Sequence, residues 1–302
     1  MDDIRARVLR GIALNRTPGF HFAGNFLGIE LAEMGERTRV VMEPGRHCTE
    51  HDGQAHLAPV FMVADIALAA SIRAQLSPAT RLATVSMQIQ TTGAPLRGTI
   101  EAHGEFRGFT QGAAAKLGFS RVTIAAGGVP VGFGHGAFMA LDPPPGVTMH
   151  PVQPTRAENV GLPGEGTLDA SERAIMQRAE AALGAGEDSF VSRFLGIAPR
   201  KTDTGAACRM DNGVHVGNRV GHAQGGILMG LAAVTAGVAL GPEWTLASIA
   251  ASFTSPGEGD VLEAAATVAH RGRWTAVVRT EVIGSGGRGV LEVTSNHARR
   301  TE

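Results

Sequence analysis

The segment Phe26-Leu27-Gly28-Ile29 occurs a second time, 168 positions later, as Phe194-Leu195-Gly196-Ile197. The same offset continues without a gap over about 40 residues. The further identical pairs at this offset are Met42 and Met210, Gly45 and Gly213, His47 and His215, Gly53 and Gly221, Ala55 and Ala223, and Ala64 and Ala232. The repeat predicts that the chain contains two copies of one structural unit, which form an intrachain pseudo-dimer.

The informative positions of this repeat are those where the two copies differ in a polar residue. Asp65 corresponds to Ala233, and Glu50 corresponds to Asn218. Copies that share a fold but differ in such residues indicate that chemistry has been kept in one place and lost in another.

Length and composition set the broad class of the protein. With 302 residues, the chain is long enough for two domains that each bury a core. Its formal net charge of -1 gives no electrostatic reason to expect nucleic acid or an anionic membrane as a partner. The cysteines Cys48 and Cys208 have neither a metal-ligand spacing nor a disulfide pattern. The chain also begins without the pattern of a signal peptide, so we expect a cytoplasmic protein.

Hydrophobic periodicity predicts the same order of elements in both units. Helices are predicted at residues 2–14, 59–76, 168–183 and 225–240. Strands are predicted within 26–43 and at 82–90, 98–106, 120–127, 130–141, 246–254, 261–271, 274–283 and 289–296. Each unit thus becomes an α+β domain, in which an antiparallel meander of about four strands covers one long apolar helix. The predicted domains are residues 1–145 and 167–302, with a Pro- and Gly-rich linker at 146–166.

A single buried helix wrapped by an antiparallel sheet resembles the hotdog fold, and the local motifs resemble acyl-CoA thioesterases of the PaaI type. That family has the pattern Asn-x-x-Gly-x-x-His-Gly-Gly, followed by an acid nine residues after the His. The second unit has Asn218, Gly221, Gly225 and Gly226 in this pattern, but Gln224 replaces the His and Ala233 replaces the acid.

The first unit departs from the family pattern in the opposite way. It keeps Gly53 and His56, and Asp65 follows nine residues after the His, whereas Glu50 and Leu57 replace the Asn and the first of the paired glycines. In hotdog dimers, each active site combines the acid of one protomer with the Asn and the Gly-rich helix end of the other. The resemblance therefore implies two non-equivalent sites in this chain, of which only one is complete.

The complete site would combine Asp65 and Thr84 with Asn218, Gln224 and Gly225. Thioester hydrolysis needs a base or nucleophile, and Asp65 is the candidate for either role. Its apolar neighbours predict a pKa raised by burial. The Gly225 N–H, at the start of a helix, would stabilise the negative charge that develops on the carbonyl oxygen.

The remaining residues are assigned to supporting roles. Thr84 would orient the carboxylate, and Asn218 and Gln224 would hold the water or the carbonyl group. The residues expected to contact the CoA part of the substrate are Gly226, Arg271, Arg273 and Arg107. The incomplete second site would contain Glu50, His56, Ala233 and Ser248. The chemistry requires no cofactor, and no metal-binding motif is present; a homodimer of such chains would also fit the resemblance.

Each assignment has a simpler alternative. Asp65 could be a structural acid, Asn218 a turn cap, and the glycine pair at 225–226 a helix-packing contact. His56 could be a core histidine, and Arg271 and Arg273 solvated surface charges. Two other functions also stay open: a non-catalytic protein that binds acyl-CoA or an acyl carrier, and a hotdog hydratase or dehydratase.

Overall fold

The computed structural model describes residues 3–17, 21–143, 160–184 and 186–301. Six α-helices lie within these residues, three in each half of the chain. They are α1 Asp3–Asn15, α2 Phe22–Leu27, α3 Leu57–Arg73, α4 Ala170–Leu183, α5 Phe190–Leu195 and α6 Gly225–Leu240. The two halves therefore have the same order of helices, as the repeat predicts.

The described residues also form one antiparallel sheet of twelve strands. The strands are β1 Ile29–Glu33, β2 Arg37–Met42, β3 Arg81–Thr91, β4 Ile100–Phe109, β5 Leu117–Ala126, β6 Val129–Leu141, β7 Arg200–Thr202, β8 Gly205–Asp211, β9 Trp244–Phe253, β10 Val261–Arg271, β11 Thr275–Ile283 and β12 Gly289–Arg299. Their order across the sheet is β1-β2-β4-β5-β6-β3-β9-β12-β11-β10-β8-β7. This order is palindromic, because each strand of the first half has its counterpart at the mirrored place in the second.

The strand order corrects the predicted meander. Of the four strands that follow α3, only β4, β5 and β6 are neighbours in chain order, while β3 pairs with β6 and not with β4. After β3, the chain passes β6 and β5 and enters β4 on their far side. The other edge of β4 pairs with β2, which extends the sheet there. One edge of each six-stranded half is thereby left to β3 or β9, and these two strands pair with each other at the centre of the sheet.

Helices α3 and α6 are apolar on nearly all sides, as expected for helices enclosed by a sheet. They pack directly against each other, and glycine allows the close approach. A Cβ at Gly226 would lie 2.4 Å from the Met62 Cα, and one at Gly230 would lie 2.3 Å from the Ala58 Cα. At the offset of 168, these two contacts are each other's counterparts, so the two helices meet across an approximate twofold axis.

Several predicted boundaries differ from the structure. The segment 26–43 contains two strands, but its first two residues, Phe26 and Leu27, belong to α2 and not to a strand. Gly28, in the left-handed conformation at φ 68°, ends that helix. Helix α3 begins two residues earlier than predicted, since His56 caps it. Of the predicted linker, residues 146–159 lie outside the described part of the chain. None of the described helices combines the length and the hydropathy that crossing a bilayer would require.

Candidate active site

Asp65 lies in the middle of α3, on the wall of a cavity of about 400 Å³. The cavity is lined from the first half by α3, β3 and β6, and from the second half by the loop before α6, the start of α6 and the end of β9. Its size is within the range of small-molecule sites. Residues from both halves of the repeat therefore enclose the carboxyl group.

Three groups are in place around the Asp65 carboxylate. Thr84, on β3, donates a hydrogen bond from Oγ1 to Oδ1 over 3.2 Å. Gln224 donates from Nε2 to Oδ2 over 2.5 Å. Gly225 is close enough that a Cβ there would lie 3.2 Å from Oδ2. Asp65, Thr84 and the adjacent pair Gln224 and Gly225, which come from three distant parts of the sequence, thus meet in one place.

Burial dominates the electrostatics of this carboxyl group. Asp65 is 5% exposed, and desolvation raises its pKa to about 6. The hydrogen bonds from Thr84, the Gly226 N–H and Gln224 act in the opposite direction, because they stabilise the carboxylate. A carboxyl group with a pKa near 6 is largely ionised at neutral pH yet basic enough to accept a proton.

Gln224 is held in a fixed orientation by its role as the N-cap of α6. Its Oε1 accepts the backbone N–H of Ile227 over 3.0 Å. The Nε2 end of the amide therefore points to Asp65. A glutamine does not titrate, so its Nε2 stays a donor to Asp65 at any pH at which the carboxylate is present.

Gly225 is the first residue of α6. The N–H groups in the first turn of a helix have no acceptor within the helix, and the helix dipole makes this end partly positive. A Cβ at this position would also lie 3.1 Å from Thr84 Oγ1. The absence of a side chain keeps the space beside the carboxylate open.

Asn218 lines the same cavity without a hydrogen bond to Asp65 in the described structure. Its Oδ1 accepts the backbone N–H groups of Val220 and His222 over 3.0 and 3.1 Å. The side-chain oxygen therefore closes the turn that leads to α6, which agrees with the simpler reading of this residue as a turn cap. Its place on the cavity wall still leaves it within the predicted site.

The three arginines predicted to bind CoA do not line this cavity. Arg271 donates to the Leu240 carbonyl over 3.0 Å at the end of α6, Arg107 pairs with Glu105, and Arg273 stacks on the ring of Trp274. The sequence places these arginines in strands or turns, but it does not reveal at which end of the sheet each one lies. The arginines that do line the cavity are Arg73, Arg81 and Arg219.

These three arginines were missed by the sequence analysis, although a signal was available. Arg73 follows Asp65 by eight residues, which places both on one face of a helix. Arg219 comes directly after Asn218, within the motif that carries the family resemblance. Arg81 stands at the start of β3, three residues before Thr84.

A second cavity, of about 890 Å³, lies at the corresponding place in the other half of the repeat. Glu50, His56, Leu57 and Ala233 line it, so three of the four residues predicted for the incomplete site meet there. Ser248 does not line this cavity; its Oγ accepts a hydrogen bond from Asn296 Nδ2 over 3.0 Å.

His56 has the same structural role in this half that Gln224 has in the other. It is the N-cap of α3, and its Nδ1 accepts the Ala58 N–H over 3.0 Å. Its Nε2 lies 3.6 Å from Glu50 Oε1. Burial lowers the pKa of His56, so the ring is neutral and its Nε2 carries the proton.

Comparison with known proteins identifies the fold but not a family. No family model matches the chain, and no curated protein matches it either. The chain is similar in structure to the 12:0-ACP thioesterase from Umbellularia californica, with a TM-score of 0.55, 10% identity, and coverage of 88% of this chain and 95% of that one.

Two further solved structures give the same result. The tesB protein of Mycobacterium avium subs paratuberculosis has a TM-score of 0.51 at 12% identity over 90% of this chain and 96% of its own. A protein with a hot dog fold from Alicyclobacillus acidocaldarius has a TM-score of 0.51 at 10% identity over 87% of this chain and 94% of its own. At these identities the likeness concerns the fold, and it confirms the expectation of a hotdog fold.

Proposed function

We propose that this chain hydrolyses an acyl-CoA thioester to a free acid and CoA at one site, built between two tandem hotdog domains at residues 1–145 and 167–302. The observation that carries the proposal is the buried Asp65 carboxylate, with its pKa near 6, beside the N-terminus of a helix from the other half. Basic carboxylate and oxyanion donor are the two groups that thioester hydrolysis requires.

In the proposed reaction, Asp65 accepts a proton from a water molecule whose oxygen attacks the thioester carbonyl carbon. The carbonyl oxygen becomes an oxyanion, and the Gly225 N–H stabilises it. When the oxyanion collapses, the C–S bond breaks and the CoA thiolate leaves, taking up the proton held by Asp65. Direct attack by the carboxylate, through an anhydride that water then hydrolyses, would use the same groups.

Thr84 and Gln224 act in this proposal as positioning residues. Each donates to a different carboxylate oxygen, so together they fix the rotation of the Asp65 side chain. The second cavity has Ala233 at the position of the acid and Leu57 at the position of Gly225. It therefore lacks both a carboxyl group at the place of Asp65 and the open glycine at the start of the helix, and we assign one working site to each chain.

The names of the structural neighbours support the reaction class, since proteins of this fold include a 12:0-ACP thioesterase and a tesB protein. The specific likeness to PaaI-type enzymes rests on the motif around residues 218–226 and on Asp65. A protein that binds acyl-CoA without hydrolysing it would need no carboxylate of raised pKa, and the buried acid therefore favours the enzyme.

The test is thiol release from a panel of acyl-CoA thioesters by the wild-type chain and two matched variants. Asp65→Asn should lower kcat by about 10²–10⁴-fold, since it removes the proton acceptor but keeps the shape of the side chain. Glu50→Gln, at the corresponding edge of the second cavity, should leave kcat unchanged. In the wild type, kcat/KM should rise with pH through about 6, because the ionised Asp65 is the active form.

Three outcomes would contradict the proposal. An equal loss in both variants would mean that both cavities are needed. Saturable binding of a non-hydrolysable acyl-CoA thioether, with no turnover of any thioester, would make the chain a binding protein. Full activity of Asp65→Asn would remove the carboxylate from the mechanism.

A further inference from the structure

The wall of the cavity that contains Asp65 has more cationic than anionic side chains. Arg73, Arg81 and Arg219 line it, all three half-buried, and Asp65 is the sole acidic residue on its wall within the described structure. Three cations facing one carboxylate leave an excess of positive charge. The mechanism proposed above uses none of these arginines.

Within the described residues, neither Arg73 nor Arg81 has a carboxylate within ion-pair distance. Arg73 donates from Nη1 to the carbonyl of Thr80 over 2.9 Å. Arg81 Nη2 lies 3.4 Å from His222 Nδ1. Burial, together with the positive charge of Arg219, lowers the pKa of Arg73 to about 10. These side chains therefore pay a desolvation cost that an anion in the cavity would offset.

Arg73 and Arg219 are present only in the cavity that contains the acid, and the repeat has no arginine at the corresponding positions. At the offset of 168, Arg73 corresponds to Gly241 and Arg219 to His51. The half-chain scaffold thus folds without them. In the second cavity, which lacks the acid, Gly241 forms part of the wall. The wall of the second cavity has other cations, Lys201 and Arg300, but no counterpart of Arg73 or Arg219, so these two arginines belong to the cavity that contains the acid.

The position of Arg73 along α3 indicates which part of a thioester it would meet. Asp65, Ala69 and Arg73 follow one another at four-residue steps on one face of the helix, so Arg73 lies about 12 Å along the axis from Asp65. The wall between them is apolar and includes Ile66, Leu82, Phe138 and Leu141. The extended pantetheine arm of CoA is longer than these two helical turns, so the end of a short acyl chain matches this distance better than the CoA phosphates do.

We infer that the acyl group hydrolysed beside Asp65 has an apolar stem and a negatively charged far end, such as the second carboxylate of a dicarboxylic acid, and that Arg73, with Arg81 and Arg219, binds that charge. This inference rests on the proposed thioesterase function. Arg73 is then a specificity-determining residue, since it contacts the end of the substrate and not the reacting bond.

The experiment compares hexanoyl-CoA with adipoyl-CoA, which has a chain of the same length ending in a carboxylate. The wild type should prefer adipoyl-CoA at least tenfold in kcat/KM. Arg73→Gln should lower kcat/KM for adipoyl-CoA by roughly tenfold to a hundredfold, the usual effect of losing a charged hydrogen-bond partner. Its kcat/KM for hexanoyl-CoA should stay within about twofold of the wild type, as the scissile bond lies far from this residue.

Two controls keep the result interpretable. Arg279→Gln removes an exposed arginine on β11, away from the cavity, and should change neither substrate's kcat/KM. Thermal unfolding of Arg73→Gln shows whether the variant is folded. If it is not, Arg81→Gln is assayed in its place, and a selective loss on adipoyl-CoA is expected again.

The outcomes separate this inference from the proposed function. Turnover of neither thioester would contradict the proposed function itself. Turnover of both at equal kcat/KM would overturn the inference and leave the thioesterase intact. The same pair of acids is also assayed as N-acetylcysteamine thioesters, which have no phosphates. If Arg73→Gln lowers kcat/KM equally for both CoA esters but for neither N-acetylcysteamine ester, the arginines bind CoA phosphate and the inference is wrong.

Discussion

The two cavities of this chain have the same scaffold and different chemistry. Each lies beside a long apolar helix and the capped start of the other long helix. One has a volume of about 400 Å³ and a buried acid, while the other is about 890 Å³ and has Ala233 in its place. The comparison shows that the fold does not depend on the acid. Asp65 lies in a buried place where its ionised form is costly, which is typical of functional residues.

Moving the acid from one cavity to the other is the most severe test of this comparison. A double variant, Asp65→Asn with Ala233→Asp, should hydrolyse thioesters no faster than Asp65→Asn alone, which is about 10²–10⁴-fold below the wild type. The physical reason is that Leu57 occupies the position of Gly225, so its side chain stands where the carbonyl would approach the helix end. Thiol release under single-turnover conditions measures the effect.

The control for this transfer is Ala233→Asp alone. It should keep the wild-type kcat, provided that circular dichroism shows a folded protein, because the first cavity is unchanged. Recovery of activity in the double variant to a tenth of the wild type or more would mean that an acid is all the second cavity lacks.

The cost of the buried acid is the basis of a second prediction, on stability. The folded-state pKa of Asp65 is about 6 and its ordinary value is 3.8. Because the folded pKa is raised, ionisation destabilises the folded state as pH rises from about 4 to 6, and the full loss is about 3 kcal/mol above pH 6. Asp65→Asn should therefore raise the free energy of unfolding at pH 7 by up to about 3 kcal/mol.

The measurement is urea unfolding of both proteins at several pH values. At pH 4 the acid is neutral in the folded state and about half ionised in the unfolded state, so most of the destabilisation is absent and the two proteins should differ least. A difference in stability that does not change between pH 4 and 7 would contradict the raised pKa. A variant that gains stability while losing activity would show that the acid is maintained for function.

The fold was largely predictable from the sequence, and particular features explain why. The offset that aligns Phe26 with Phe194 comes from a repeated core, whose apolar positions are fixed by packing. The order of the strands was less accessible: pairing of β3 with β6, and of β3 with β9, depends on contacts between distant segments that no local pattern contains. The meander was wrong for this reason.

The site was predictable to a similar degree. The family motif, divided between the two units, led to the prediction of Asp65, Gln224 and Gly225 as site residues. These three residues lie together in the structure. The predicted arginines fail because a charged residue in a strand has no periodic signal that reveals the nearest cavity. Arg271 instead binds carbonyl groups at the end of α6.

The smallest expected effect concerns the single residue that most separates the two helix starts, Gly225 in one half and Leu57 in the other. A Cβ in Gly225→Ala would lie 3.1 Å from Thr84 Oγ1 and 3.2 Å from Asp65 Oδ2, so these neighbours must move by a few tenths of an ångström. The backbone N–H is kept. Displacement of the carboxylate and the carbonyl should lower kcat/KM by roughly tenfold to a hundredfold.

The matched control for this substitution is Leu57→Ala, which changes the corresponding position in the second cavity. It should leave kcat/KM unchanged, although loss of a half-buried side chain lowers the stability. The two variants create the same residue at equivalent positions, so a difference in activity between them comes from the cavity and not from the substitution. Equal activities would place the reaction away from the start of α6, and the Gly225 N–H would then have no part in stabilising the oxyanion.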